Sequence, residues 1–308
     1  MTGPQPDVVC FGMITPATVL VVDEFPEHNT GVAWRERGDF ISDDAAIVAV
    51  LLKQWGVQTG LIGTALGDDS AGRDVAAKLS ELGVSGTFVP SDQVETRYEI
   101  NISDATGSRT YFWKRDPAVL STLDDADLSM IAGAKFVYAD WYDGPHVMRA
   151  LTEAARYDVP VFFNFEHGHR DETLLKRYAP LVSVCQATTD ATQSSGDGEA
   201  AASRLLGAGV ENALVTMAEK GCLAADADGT YRVNAPEVGM VDGCAAGATF
   251  SAGYILGRLA GWQTERTLRF AVAAASLQCT RVGPVAFPLS EVESLASGLT
   301  VESYGPLI

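Results

Sequence analysis

Residues 241–253, Val-Asp-Gly-Cys-Ala-Ala-Gly-Ala-Thr-Phe-Ser-Ala-Gly, carry the clearest chemical signal in the chain. One acid, Asp242, leads into a run of small residues and then into a helical pattern. Small side chains let a backbone approach a ligand closely, and the first turn of a helix presents N–H groups that no intrahelical carbonyl accepts. This is the outline of an anion or phosphate seat, yet the seat itself holds neither an acid nor a base. Asp43-Asp44 precedes a second helical pattern. At a helix start Asp most commonly caps free N–H groups. The alternative is that the pair faces a pocket, where its charges disfavour phosphate and favour a cationic or polyhydroxyl ligand. His167-Gly168-His169 offers two imidazoles on one strand face. Without a Cys or a convincing carboxylate set nearby, it reads as a loop or surface feature rather than a metal site.

The elements that must position these residues alternate between two periodicities. Val8 to Gly12, Leu61 to Gly63 and the stretches 135–139, 160–165, 181–185 and 213–217 read as short buried strands. Helical spacing with Gly stops predicts helices over 44–55 and 71–82, near 145–157, 170–178 and 197–207, and over 247–260 and 264–281. The stretch 96–115 differs, since it alternates, turns at 104–107 and returns, as a hairpin does. With residues 13–41 it reads as a small β appendage. A second hairpin is expected from Leu223 to Val233, turning at Asp228-Gly229. Alternating strands and helices predict a mostly parallel sheet covered on both faces. No repeat or linker divides the chain, so residues 1–308 read as one domain. Trp141-Tyr142, just past a strand pattern, fits either a pocket wall at the C-terminal strand edge or simple packing.

A formal charge of −18 argues against a nucleic-acid partner, which recruits clustered Lys and Arg. No apolar run is long enough for a membrane span, and the N-terminal residues lack a signal-peptide pattern, so a cytoplasmic location is expected. The five cysteines are scattered and odd in number, as in a reduced protein that buries them as small apolar residues.

The chain resembles the PfkB (ribokinase-like) carbohydrate kinases, and within them it looks most like ketohexokinase. The markers are Leu61-Ile62-Gly63 with residues 67–73 (Gly-Asp-Asp-Ser-Ala-Gly-Arg), the hairpin residues 105–110, the segment 214–221, residues 242–253, and Cys279 to Gly283 with Pro288 beyond. The resemblance implies a three-layer α/β/α fold with a small β-sheet lid, here about 13–41 and 96–115. It implies transfer of the ATP γ-phosphoryl group to a hydroxyl, with Mg²⁺ and ATP as cofactors, and a homodimer paired through the lids. The family motif ends in Gly-Ala-Gly-Asp, whose amides form an anion hole and whose Asp is the base; here it reads Ala245-Ala246-Gly247-Ala248. An early sugar-binding Asp falls at Ala17, a Gly-Gly at Ser42-Asp43, and an Asn four residues on at Ile47. An Asn-x-x-Glu associated with Mg²⁺ falls near Gln186 and Thr189. Thr216, Gly221 and Cys279 match the nucleotide-pocket wall, and Arg109 matches a lid position near substrate or nucleotide. Two readings remain open. One is a protein that binds a sugar-like molecule or a nucleotide with weak or absent phosphoryl transfer. The other is an active sugar or nucleoside kinase with a relocated base, Asp242, Asp43 or Asp44.

Overall fold

A computed structural model of the chain describes residues 5–88, 90–114, 116–189 and 198–307. In chain order it begins with β1 (Val8–Gly12), β2 (Thr15–Val22), β3 (Trp34–Ser42), α1 (Asp44–Gln54), β4 (Thr59–Gly63), β5 (Leu66–Gly67) and α2 (Ser70–Glu81). There follow β6 (Ser85–Gly86), β7 (Pro90–Ser91), β8 (Tyr98–Ser103), β9 (Arg109–Lys114), α3 (Pro117–Ser121), β10 (Phe136–Asp140), α4 (Val147–Arg156) and β11 (Val161–Glu166). The last third holds α5 (Glu172–Tyr178), β12 (Val184–Thr188), α6 (Gly198–Gly207), β13 (Asn212–Thr216), β14 (Cys222–Ala225), β15 (Thr230–Val233), α7 (Ala246–Leu259), α8 (Thr264–Gln278), α9 (Leu289–Ser297) and β16 (Val301–Tyr304).

The main sheet runs β16-β15-β14-β13-β12-β11-β10-β1-β4-β6. Pairing is parallel from β13 through to β6 and antiparallel from β13 outward to β16. Because successive strand residues face opposite ways, each parallel strand feeds two cores. Val8, Cys10, Tyr138 and Phe162 pack with residues of α1, α7 and α8. Val9, Phe11, Val137 and Phe163 pack under α4, α5 and α6. The result is the three-layer α/β/α arrangement with a mostly parallel sheet that the sequence predicts.

A separate four-stranded sheet, β3-β2-β8-β9, combines the segment after β1 with the predicted hairpin. Val19 and Val21 of β2 sit on Val282, with Phe40 and Val241 beside them. The other face leaves Trp34, Tyr98 and Phe112 exposed, while Trp113 turns to the opposite side with Glu99 and Ala17. Local chemistry fixes the turn before α2. Asp69 caps the helix by accepting from Gly72 N (2.8 Å), and it also accepts from Thr96 N (2.9 Å). A Cβ on Gly72 would stand 2.1 Å from the Gly67 carbonyl oxygen, so this close turn requires glycine there.

Two expectations need correction, and two elements were not predicted. The strand predicted at 181–185 lies at Val184–Thr188, because Ala179–Leu181, with Pro180, forms a 3-10 turn first. The helix α9 and the strand β16 had no sequence signal strong enough to predict them. His169 is buried rather than at the surface, and burial pushes its imidazole down to about 4, so it is neutral. Residue 115 of the predicted hairpin and residue 197 of the predicted helix lie outside the described residues.

Candidate functional site

The C-terminal ends of β10, β11, β12 and β13 open into a cavity of about 1040 Å³, roofed by the small sheet and bordered by the start of α7. Open α/β sheets place their ligands at this edge, and the volume is of the order that small-molecule sites occupy. Of the described non-glycine residues with positive φ, Asp43, Glu166, Ala218 and Ala245 line this one cavity. Such backbone strain gathers where a site demands it.

The border at α7 is built by Asp242. This residue has no solvent exposure. Its Oδ1 accepts from Ser103 Oγ (2.6 Å) and Cys244 N (2.9 Å), and its Oδ2 accepts from Gly283 N (2.9 Å). Both carboxylate oxygens are thus committed to holding β8, the turn and residue 283 together, which removes Asp242 as a relocated base. Ala245 follows at φ 63°, ψ 7°, the left-handed conformation that favours glycine. Helical bonding begins with Thr249 N donating to Ala245 O (2.8 Å), so the amides of Ala246, Gly247 and Ala248 precede the first intrahelical bond. These amides therefore remain without an intrahelical acceptor although the first motif glycine is gone. Ala248 lines the cavity with a methyl group and is 1% exposed. Gln186 braces this turn: its Nε2 donates to Gly247 O (3.3 Å) and its Oε1 accepts from Ser251 Oγ (2.8 Å).

The opposite wall is acidic. Asp43, Asp44, Asp140, Asp143 and Glu166 all line it. Asn164 Nδ2 donates to Asp44 Oδ2 (2.9 Å) and to Asp140 Oδ2 (2.7 Å), which ties α1, β10 and β11 through one amide. Tyr142 donates its hydroxyl to Glu166 (2.7 Å), and Met13 N donates to Asp143 Oδ2 (3.2 Å). Gly12 leaves the space for that carboxylate, since a Cβ there would lie 2.2 Å from Asp143 Oδ2. Burial, reinforced by the charges of Glu166 and Asp43, pushes the Asp44 carboxyl up to about 7. Asp140 and Asp143 are also raised by burial, with Asp44 and Asp43 respectively as the strongest repelling charges. Asp43 sits at the helix N-cap but makes no side-chain cap bond, and its φ is 69°. The capping expectation is therefore overturned for Asp43, and both acids face the pocket.

The substrate and nucleotide positions named from the sequence line this cavity, whereas Asp242, Trp141, His169 and Thr189 do not. Ala17, Asp43, Ile47 and Arg109 belong to the side of α1 and the small sheet, while Thr216, Gly221 and Cys279 join Ala245, Ala246, Gly247 and Ala248 on the other. Arg109 Nη1 donates to Gly243 O (2.9 Å), and its guanidinium lies 5.5 Å from the Tyr111 ring centre. Burial pushes the Cys279 thiol up, so it is a neutral wall residue rather than a nucleophile. Tyr142 lines the pocket, whereas Trp141 packs edge-on against Phe165. The sequence reading did not find Asp140, Asp143 or Glu166. Their only signal was position, at or just past the C-terminal end of a buried strand. Among the described residues, no group of three or more His, Cys, Asp and Glu is arranged to hold a metal ion.

The model of the pfkB family carbohydrate kinases matches residues 44–291. The chain belongs to this family. It is similar to an aminoimidazole riboside kinase of Salmonella typhimurium, 27% identical over 229 residues that cover 68% of this chain and 71% of the relative. It is also similar to a fructoselysine 6-kinase of Escherichia coli, 26% identical over 257 residues, covering 82% of this chain and 90% of that one. Among solved structures, a ribokinase of Thermotoga maritima superposes with a TM-score of 0.77 at 20% identity, covering 95% of this chain and 100% of that one. A putative ribokinase II of E. coli in complex with ATP and Mg²⁺ superposes at 0.79 and 20% identity, covering 95% and 99%. The finer likeness to ketohexokinase rests on the sequence markers alone. No helix among the described residues is long and apolar enough to cross a membrane.

Proposed function

We propose that this chain binds a small molecule, sugar-like or a nucleotide or both, in the cavity at the start of α7, with weak or absent phosphoryl transfer. The observation that carries this reading is the methyl group of Ala248 at the cavity wall, together with the full commitment of Asp242 to three donors. A hydroxyl that attacks phosphorus must lose its proton, and general-base catalysis of that step is typically worth about 10²–10⁴-fold. The amides of Ala246, Gly247 and Ala248 fit a phosphate, and the wall of Thr216, Gly221 and Cys279 would accept the rest of a nucleotide. ATP is the cofactor that this arrangement suits. Mg²⁺ would arrive on its phosphates, where it neutralises charge.

A second reading has its own support. Asp44, held up to about 7, has the proton affinity of a general base working near neutral pH and lines the same cavity. On that reading the chain is an active sugar or nucleoside kinase with its base moved from α7 to α1. Purified protein with ATP·Mg²⁺ and a panel of ketoses, aldoses and nucleosides separates the two. The first reading expects no turnover above background. Robust phosphorylation that Asp44→Ala abolishes would overturn it and establish the second. The exposed aromatic face of the small sheet supports a lid-mediated homodimer. Light scattering tests it, and a monomer at micromolar concentration would refute it. A cytoplasmic location is part of the same proposal.

A further inference from the structure

The acidic wall of the cavity is rich in hydrogen-bond acceptors. Asp43, Asp44, Asp140, Asp143 and Glu166 converge there. The positive groups near them are few: the charge of Arg109 acts on Asp44 and that of Arg97 on Asp143. Arg109 points its Nη1 at Gly243 O and stacks beside Tyr111. Arg97 acts on Asp143 from outside the cavity wall. His167 lines the cavity, with Nε2 3.7 Å from Glu166 and 3.3 Å from the Tyr142 hydroxyl.

An independent observation comes from the small sheet. Asn101 lines the same cavity, is 3% exposed, and its Oδ1 accepts no hydrogen bond among the described groups. On the sheet floor Asn164, 1% exposed, gives its amide protons to Asp44 and Asp140 and leaves its own Oδ1 without a donor. A buried acceptor without a donor is destabilising; Asn101 lines the cavity and so calls for a ligand that donates, whereas Asn164 lies behind the wall and only positions the carboxyls.

We infer that the cavity selects a ligand carrying a protonated amine beside its hydroxyl groups, with the nitrogen seated among Asp44, Asp140 and Glu166 and the hydroxyls reaching Asn101. This inference rests on the reading of the cavity as a small-molecule site. An ammonium supplies three donors and a full positive charge, matching a wall made of acceptors. Its charge also favours the ionised state of Asp44 and Asp140, whose carboxyls burial pushes up. Tyr142 adds an aromatic ring to the cavity wall, whereas the Tyr111 ring already has the Arg109 guanidinium beside it. A neutral sugar satisfies the acceptors but leaves the charge uncompensated, and a sugar phosphate is repelled. A bare divalent ion does not fit, for no metal-holding group of three such side chains is present among the described residues.

Calorimetry on the full chain tests this with two matched pairs, D-fructose against 1-amino-1-deoxy-D-fructose and D-glucose against D-glucosamine, and with MgCl₂ alone. In at least one pair the amine is expected to bind tenfold or more tightly than its hydroxyl counterpart. Asp44→Asn and Glu166→Gln, checked by circular dichroism for an intact fold, should each reduce that ratio severalfold. A ratio near or below one in both pairs overturns the inference, as does the absence of saturable binding by either amine. Binding of Mg²⁺ alone that displaces the amine overturns it too. Phosphorylation of an amine by the wild-type protein with ATP would instead defeat the proposed loss of transfer and leave the inference standing.

Discussion

The raised carboxyl of Asp44 makes a quantitative prediction about stability. An unfolded Asp titrates near 3.9, so a folded value of about 7 is a shift of roughly three units, each worth about 1.4 kcal/mol. The folded state holds this proton more tightly than the unfolded state. Stability from the group is therefore full below pH 4 and lost as pH rises towards 7. Fully buried, the group would lose about 4 kcal/mol by pH 8. Asp44 is only half-buried on the cavity wall, so water and relaxation of Asp43 and Glu166 reduce this to about 2 kcal/mol. Asp44→Asn removes the titration and keeps an oxygen for the Asn164 amide. The variant should be more stable than wild type by about 2 kcal/mol at pH 8 and by under about 1 kcal/mol at pH 5. In melting temperature the gap at pH 8 is roughly 3 °C for a chain of 308 residues. Scanning calorimetry or urea unfolding at pH 5, 6.5 and 8 reads it directly. A variant no more stable than wild type at pH 8, or a gap that does not widen with pH, would refute the argument that the wall is a store of electrostatic strain.

Three further outcomes follow from the same cavity. Asp43→Gly and Ala245→Gly relieve φ values of 69° and 63°, and each should stabilise the protein by about 1 kcal/mol by urea unfolding. Ala248→Asp should raise ATP-dependent phosphorylation of the best-binding panel member by about 10²-fold or more; unchanged turnover would place the deficit in the ligand pocket instead of the base. Asp242→Ala strands the Ser103 hydroxyl and the Cys244 and Gly283 amides, and it should lower stability by about 3 kcal/mol or more. A loss below about 1 kcal/mol would show that water replaces the carboxylate.

Much of the architecture was legible because it repeats simple periods. The strands Val8–Gly12 and Val161–Glu166 are near-continuous apolar runs, and α2 begins at a capping Asp within a glycine-bounded turn. The motif positions also led to the right place, since Ala17, Ile47 and Ala248 meet in one cavity although over 200 residues separate them. What sequence could not yield was convergence without a motif. Asp44, Asp140 and Glu166 come from three elements and obey no spacing rule, and one amide from Asn164 relates two of them. The role of Asp242 was hidden for the same reason, as its partners lie 139 and 41 positions away. The termination of the fold was also obscure: α9 is short and follows Pro288 without a side-chain cap bond.

The two bonds from the hairpin to the turn before α7, Ser103 to Asp242 and Arg109 to Gly243, have a kinetic meaning. They fasten the roof of the cavity to the loop that would hold an anion, so the roof is not a free flap. Lifting the roof would require breaking those bonds, so a molecule held beneath it is expected to leave more slowly than from an unfastened cavity. Removing the Ser103 hydroxyl or the Arg109 guanidinium should shorten the residence time more than it alters the rate of entry.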